Sequence, residues 1–147
     1  MKKLLIILMF VLVSFGSVGI VRAEDPYVYV SVEKDKVVLK TILAGNTKIP
    51  EALTLKVKSN CFHGPIIASL NDLKHRRGDL IKPERVYIKT DATREYISME
   101  KPVVISLPEA GSHDIVVDFE IKANTQGVLD YAGRYSGTLT FTILPPA

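Results

Sequence analysis

This chain cannot be stabilised by an internal disulfide, because Cys61 is the only cysteine among its 147 residues. A domain without disulfides must be held together by its hydrophobic core. Cys61 follows a run of alternating apolar residues, which favours a free thiol buried in that core. The sequence leaves a second alternative open, a disulfide between two molecules.

Motifs that carry catalysis or hold a cofactor are also missing. The sequence contains no His-Glu-x-x-His zinc motif, no Gly-x-Ser-x-Gly nucleophile elbow, no glycine-rich phosphate loop and no aspartate-rich calcium loop. Cys61 and His63 would share one side of an extended chain, but the third partner that a metal site or a thiol–imidazole pair requires is not visible. We therefore expect no enzymatic activity, no metal and no cofactor.

A second long apolar run is missing too, and the one that exists lies near the start. Lys2 and Lys3 precede an apolar stretch over residues 4–13, and a small-residue end follows it. This order is typical of a secretory signal peptide. We expect residues 1–23 to be cleaved, which leaves one domain over residues 24–147 in the periplasm, on the cell surface or secreted, without a membrane span. An uncleaved anchor would need roughly 20 mainly apolar residues.

An excess of positive charge is missing once the predicted leader is removed. The whole chain has 19 Lys and Arg and 16 Asp and Glu, and the leader holds three of the basic residues and no acidic one. The predicted mature domain therefore has no net charge, whereas nucleic-acid binders normally keep a positive excess. We expect no nucleic-acid partner. Residues 74–95 are locally basic, either as an ordinary solvated surface or as a face complementary to an acidic one.

Helical periodicity over ten residues is absent after the leader, and alternation of apolar with polar residues takes its place. In the clearest case, Ile115, Val117, Phe119 and Ile121 share one face. Similar patterns predict strands over residues 27–32, 37–43, 53–58, 66–70, 85–89, 103–107 and 135–143. About seven to eight short strands, each with one wet face, predict an all-β fold arranged as an antiparallel sandwich.

Polar residues, glycine and proline predict the loops between these strands. We expect a loop over residues 44–47 that is ended by Pro50, and a long loop over residues 71–83 with room for one helical turn near Asp72. Gly137, inside the last predicted strand, marks either a bulge or a place of close packing.

The last predicted strand carries a pattern that resembles a known group of domains. Residues 130–139 read Asp-Tyr-Ala-Gly-Arg-Tyr-Ser-Gly-Thr-Leu, in which a Gly-x-Tyr-x-Gly-x-Leu pattern precedes alternating threonine and apolar residues. This stretch resembles the closing strand of bacterial exported immunoglobulin-like surface domains and pilin-type domains. Residues 53–60 resemble an early strand of the same domains.

The resemblance implies an immunoglobulin-like (Greek-key) sandwich of the kind that assembles into surface fibres, and it implies no catalytic residue. The cysteine pair often seen in chaperone–usher pilins is missing in this chain. In Greek-key sandwiches a tyrosine near a strand entry can form a corner, in which its hydroxyl bonds to nearby backbone. Tyr135 either forms such a corner or packs its ring in the core.

Residues 25–32 suggest how such a domain would act. They are extended and apolar, so they either form the first strand of their own domain or add to the edge of a neighbouring sheet. The two tyrosines among them share a face, and they either pack in the core or offer a platform for sugar stacking. The candidate contact residues are Tyr27, Tyr29 and Val30 for edge pairing, and Arg76 and Arg77 for loop contacts.

We therefore predict a non-catalytic exported structural or adhesive protein of the bacterial envelope. It would act by surface or sheet-edge association with further copies of itself or with other envelope subunits. The alternative is a soluble periplasmic or secreted module that binds a glycan or a peptide. That alternative requires a monomer whose melting temperature rises with ligand, since binding to the native state stabilises it.

Overall fold

The computed structural model describes residues 24–33, 45–123, 130 and 133–145. Strands hold most of these residues and no α-helix occurs among them, which confirms the predicted all-β class. Accordingly, this part of the chain contains no helix that is long and apolar enough to span a bilayer. The predicted leader and the predicted strand over residues 37–43 lie outside the described residues.

Thirteen strands occur in the described part of the chain, more than the seven to eight predicted, because several are pieces of only two residues. The strands are β1 (Val28–Val32), β2 (Gly45–Ser59), β3 (Phe62–His63), β4 (Ile66–Leu70), β5 (Leu73–His75), β6 (Leu80–Ile81), β7 (Val86–Lys89), β8 (Ile97–Ser98), β9 (Val103–Ser106), β10 (Glu109–Ala110), β11 (His113–Ala123), β12 (Tyr135–Ser136) and β13 (Leu139–Ile143). A 3-10 turn, η1 (Pro83–Arg85), precedes β7.

Two sheets carry the core of the molecule. One has five strands in the order β1-β2-β11-β7-β8, and the other has three in the order β13-β4-β9. Two smaller sheets, β10-β3 and β12-β5-β6, complete the pairing. All pairings between these strands are antiparallel, as the alternating pattern predicts.

The core is built from alternate residues of the two larger sheets. Leu55 and Val117 of the five-stranded sheet and Ile66 and Ile105 of the three-stranded sheet are almost completely buried and belong to one cluster. Burying one such aliphatic side chain contributes about 1.5–3 kcal/mol. The predicted inward face of β11 is confirmed, since its alternate apolar residues are buried while Val116 between them is exposed.

A side-chain hydrogen bond joins the two larger sheets. The hydroxyl of Thr90, directly after β7, donates to the carbonyl of Ile105 in β9 at 3.0 Å. β7 lies towards one end of the five-stranded order, and β9 is one edge of the three-stranded order.

The predicted loop that ends at Pro50 is wrong, because β2 runs through it from Gly45 to Ser59. The ladder between β2 and β11 shifts register at this point, so residues 50–52 stand opposite Asp118 alone. Proline is tolerated in a strand at such a bulge, where no ladder hydrogen bond to its nitrogen is required. The bulge allows one long strand where the composition predicts a break.

The predicted long loop over residues 71–83 is wrong in part. It contains the short antiparallel strands β5 and β6, in which Lys74 pairs with Leu80. The turn between them includes Gly78 at a φ of 97°, a conformation that favours glycine. Asp72 is not part of a helical turn, and the 3-10 turn η1 follows β6 instead.

The closing segment resolves the alternatives for Gly137 and shows where the ring of Tyr135 lies. Gly137 lies between β12 and β13, where an added Cβ would be 2.5 Å from the Leu73 side chain, so the glycine permits close packing. The ring of Tyr135 packs against the core cluster and tilts over His75 at a centroid distance of 5.0 Å.

Candidate functional site

β1 forms the first strand of its own domain, which is one of the two alternatives for this segment. It pairs antiparallel with β2 over its whole length. The backbone N–H of Asn60 donates to the carbonyl of Tyr27 at 3.4 Å, and that of Glu33 donates to the carbonyl of Thr54 at 3.1 Å. In an antiparallel ladder, residues bonded to the partner alternate with residues whose backbone groups point away. The odd-numbered residues of β1 therefore face β2.

The even-numbered residues of β1 leave a row of backbone groups on the other side. We call the N–H and C=O groups of Val28, Val30 and Val32 the outer edge of β1. Among the described residues, no strand pairs with this edge. The side chains of Val28 and Val30 are half-buried against the core. The predicted contact residue Val30 therefore points its side chain towards the core, while its backbone N–H and C=O point away from β2.

Tyr27 and Tyr29 are exposed, at 49% and 60% of their full accessible surface. The interpretation that they pack in the core is therefore wrong. The pairing of β1 with β2 decides this, because it turns the valines inward and leaves Tyr29 on the outer face of the sheet.

An ion pair lies at the end of β1. The ammonium of Lys56 pairs with the Glu33 carboxylate at 2.6 Å, and this hydrogen bond raises the pKa of Lys56.

A second region of interest is a basic groove between the β5–β6 hairpin and the closing segment. β12 pairs with β5, and Tyr135 stands opposite His75 in that pairing. The space between the two segments has a volume of about 540 Å³, within the range of ligand-binding pockets. The residues that line the basic groove are Lys74, His75, Arg76, Gly133, Arg134 and Ser136.

His75 is the buried member of the basic groove, with 6% of its surface exposed. The backbone N–H of Arg77 donates to its Nδ1 at 3.3 Å. A carboxylate oxygen of Asp79 lies 3.7 Å from the same Nδ1. An added Cβ at Gly133, whose φ is 145°, would collide with Nε2. The Gly133 backbone therefore packs directly against Nε2, and only glycine permits this close approach.

Three cationic side chains surround this buried histidine. Lys74, Arg76 and Arg134 are exposed, and none of them enters an ion pair found within the described part of the chain. The predicted loop-contact residue Arg76 thus belongs to the basic groove. Arg77 contributes its backbone N–H to His75.

Arg85 holds the start of the closing segment. Its guanidinium donates to both carboxylate oxygens of Asp130 and, through Nε, to the carbonyl of Lys122 at 2.9 Å. The side chains of Arg85 and Asp130 are largely buried, and the hydrogen bond to Asp130 raises the pKa of Arg85. This two-pronged contact fixes residue 130 beside η1, three residues before the groove wall at Gly133.

Cys61 has different contacts from His63 and His113, and these two histidine rings stack on each other. The Cys61 thiol donates to the carbonyl of Tyr27 at 3.6 Å, and the residue is half-buried rather than buried. His63 stacks on His113 with ring centroids 5.4 Å apart, and its Nδ1 contacts the carbonyl of Gly64 at 2.7 Å. Within the described ranges, no group of three His, Cys, Asp or Glu side chains has a metal-binding arrangement.

Sequence reasoning missed Lys74, Gly133 and Arg134 as members of a site. Lys74 lies in the locally basic stretch, and Gly133 lies in the pattern that carries the resemblance, but no spacing in the sequence relates the two. Only the pairing of β5 with β12 brings them together. Comparison with known proteins adds no further residue, since no protein-family model matches this chain and no curated protein matches its sequence.

Proposed function

We propose that this protein is a non-catalytic exported subunit of the bacterial envelope, which associates with other protein subunits through the outer edge of β1. The observation that carries the proposal is the row of outward backbone groups at Val28, Val30 and Val32, which no described strand covers. A strand from another molecule would add here by main-chain hydrogen bonds. Proteins normally protect such edges, since they template pairing with other chains.

Incomplete coverage of the core at the edge strands supports the same proposal. β1 and β13 are edge strands of the two larger sheets, and their inward residues are only half-buried. Val30 belongs to this set in β1, and Leu139, Phe141 and Ile143 belong to it in β13. A strand added beside β1 would remove more of this apolar surface from water, which favours association. The finer architecture that we propose, an immunoglobulin-like Greek-key sandwich, accords with such assembly.

The test uses the full chain, produced with its own leader in a bacterial host. The intact mass of the recovered protein is expected to correspond to a first residue of Glu24. Sedimentation velocity is then expected to show oligomers that increase with concentration. Recovery of the uncleaved chain from the cytosol would contradict export, and a monomer at every concentration would favour the alternative, a soluble module that binds a glycan or peptide.

Two variants at one position separate edge pairing from packing. Val30→Pro removes an outward N–H but no bond to β2, and proline is tolerated on the open side of an edge strand. Val30→Ala keeps the N–H and removes two methyl groups, so it loses more apolar contact than the proline variant does. We expect Val30→Pro to be monomeric and Val30→Ala to remain oligomeric. Equal association of the two variants would count against pairing through this edge.

A further inference from the structure

We infer that the basic groove binds a sulfate or phosphate ester group carried on a saccharide. The inference concerns a site separate from the outer edge of β1, and it holds whether or not the protein self-associates. Its evidence is the convergence of three cations around one concave space whose lining contains no carboxylate.

The basic groove is lined by three positively charged side chains and by no acidic one. The described ion pairs leave Lys74, Arg76 and Arg134 without a carboxylate partner, and all three line the same concave space. Guanidinium groups offer paired donors that match two oxygens of one oxyanion, and an ammonium adds a point charge. Asp79 lies against Nδ1 of His75 and is not part of the lining.

The buried imidazole shapes the base of the groove. The backbone N–H of Arg77 donates to Nδ1 of His75, and Gly133, which also lines the groove, packs directly against Nε2. The pairing of β5 with β12 holds the two segments together, so that Arg76 and Arg134 line the same concave space.

The remaining lining favours a saccharide as the carrier of the anionic group. The lining residues have no aliphatic or carbocyclic aromatic side chain, so the groove offers no apolar pocket for the side chains of a peptide. The hydroxyl of Ser136 and the charged groups instead match a ligand rich in hydroxyl groups. A volume of about 540 Å³ also exceeds what one inorganic oxyanion occupies.

The test is calorimetric titration of the wild-type protein at low salt with four probes. The probes are a disaccharide with two sulfate groups, its unsulfated counterpart, glucose 6-phosphate and inorganic sulfate. We expect the sulfated disaccharide to bind at least about tenfold more tightly than inorganic sulfate, and the unsulfated sugar to give no signal. Glucose 6-phosphate decides whether a phosphate ester is accepted as well as a sulfate ester. Tightest binding by inorganic sulfate, or equal binding of the two disaccharides, would overturn the inference.

A pair of charge-matched variants distinguishes the groove from general attraction. The double variant Arg76→Gln and Arg134→Gln is expected to weaken binding of the sulfated disaccharide by about tenfold or more, because charge-assisted hydrogen bonds are lost. The control, Lys58→Gln with Lys101→Gln, removes the same charge at exposed positions outside the lining and should change affinity less than about twofold. Equal weakening in both variants would overturn the inference, and equal melting temperatures would exclude misfolding as the cause.

Discussion

The carboxylate of Asp118 accepts a hydrogen bond from the backbone N–H of Glu51 at 2.8 Å. This bond crosses the bulge in which residues 50–52 of β2 stand opposite Asp118 alone. Glu51 has a φ of 47°, a left-handed conformation that costs a residue with a side chain about 1–2 kcal/mol. The Asp118 side chain therefore supplies a partner for a backbone group that the β-ladder leaves unpaired.

We expect Asp118→Ala to lower the free energy of unfolding by about 1.5 kcal/mol, because the Glu51 N–H loses a charged acceptor. Urea unfolding followed by circular dichroism measures this change. Asp118→Asn keeps an acceptor oxygen and is expected to cost less than half as much. If the alanine and asparagine variants were equally stable, the bond would not support the bulge.

Gly133 is expected to tolerate alanine less well than Gly78 does. Both residues have positive φ, at 145° and 97°, so both substitutions introduce backbone strain. An added Cβ at Gly78 meets no atom within 4 Å, whereas one at Gly133 collides with Nε2 of His75. We expect Gly78→Ala to cost about 1 kcal/mol and Gly133→Ala to cost clearly more. Urea unfolding of the two variants compares them, and equal costs would contradict the close approach at His75.

Tyr96 is expected to make the protein more sensitive to alkali. Burial, followed by the charges of Asp118 and Glu120, raises the pKa of Tyr96 above the ordinary tyrosine value. The folded state then holds the phenol proton more tightly than the unfolded state. The resulting stability is complete below the ordinary pKa and is lost as the pH rises through the folded pKa.

Tyr96→Phe is therefore expected to flatten the loss of stability between about pH 9 and pH 11. Urea midpoints of the two proteins across this range measure the difference. Ultraviolet titration of the phenols should show that the variant lacks one late-titrating group. The ammonium groups of Lys48 and Lys89, at 5.1 and 5.7 Å from the ring centroid, remain in both proteins. Parallel stability curves would show that Tyr96 does not contribute.

Cys61 is expected to play no part in self-association. Its thiol is half-buried and donates to the carbonyl of Tyr27, which leaves it poorly placed to bridge two molecules. We expect Cys61→Ser to sediment like the wild type, with and without a reducing agent. Loss of oligomers in this variant, or on reduction of the wild type, would indicate a disulfide between molecules instead of pairing through the outer edge of β1.

The strands were predictable from the local alternation of apolar and polar residues, and the inward face of β11 is the best example. Apolar and polar residues alternate from Val117 to Lys122, and Ile115 and Val117 are buried while Val116 between them is exposed. Glu120 departs from it, since it lies on the outer face and is nevertheless buried. Neighbouring strands cover Glu120, because it pairs with Lys48 on one side and Tyr87 on the other.

Errors arose where a residue depends on a partner far away in the chain. Pro50 predicts the end of a loop by its own chemistry, but the bulge opposite Asp118 lets β2 continue through it. Tyr27 and Tyr29 look like core residues by their type, but the register between β1 and β2 turns them outward. In each case the deciding contact lies more than 20 residues away in sequence.

The amino-acid sequence by itself determined the all-β class and the inward face of most long strands, because side chains alternate across a strand whatever its partner. Local charge also led to the prediction, still to be tested, that Arg76 makes loop contacts. Only the tertiary structure decided which backbone groups of β1 stay outward and which cations share the basic groove. The physical reason is that strand register and pairing, such as that of Tyr135 with His75, depend on the packing of the whole core rather than on neighbours in the chain.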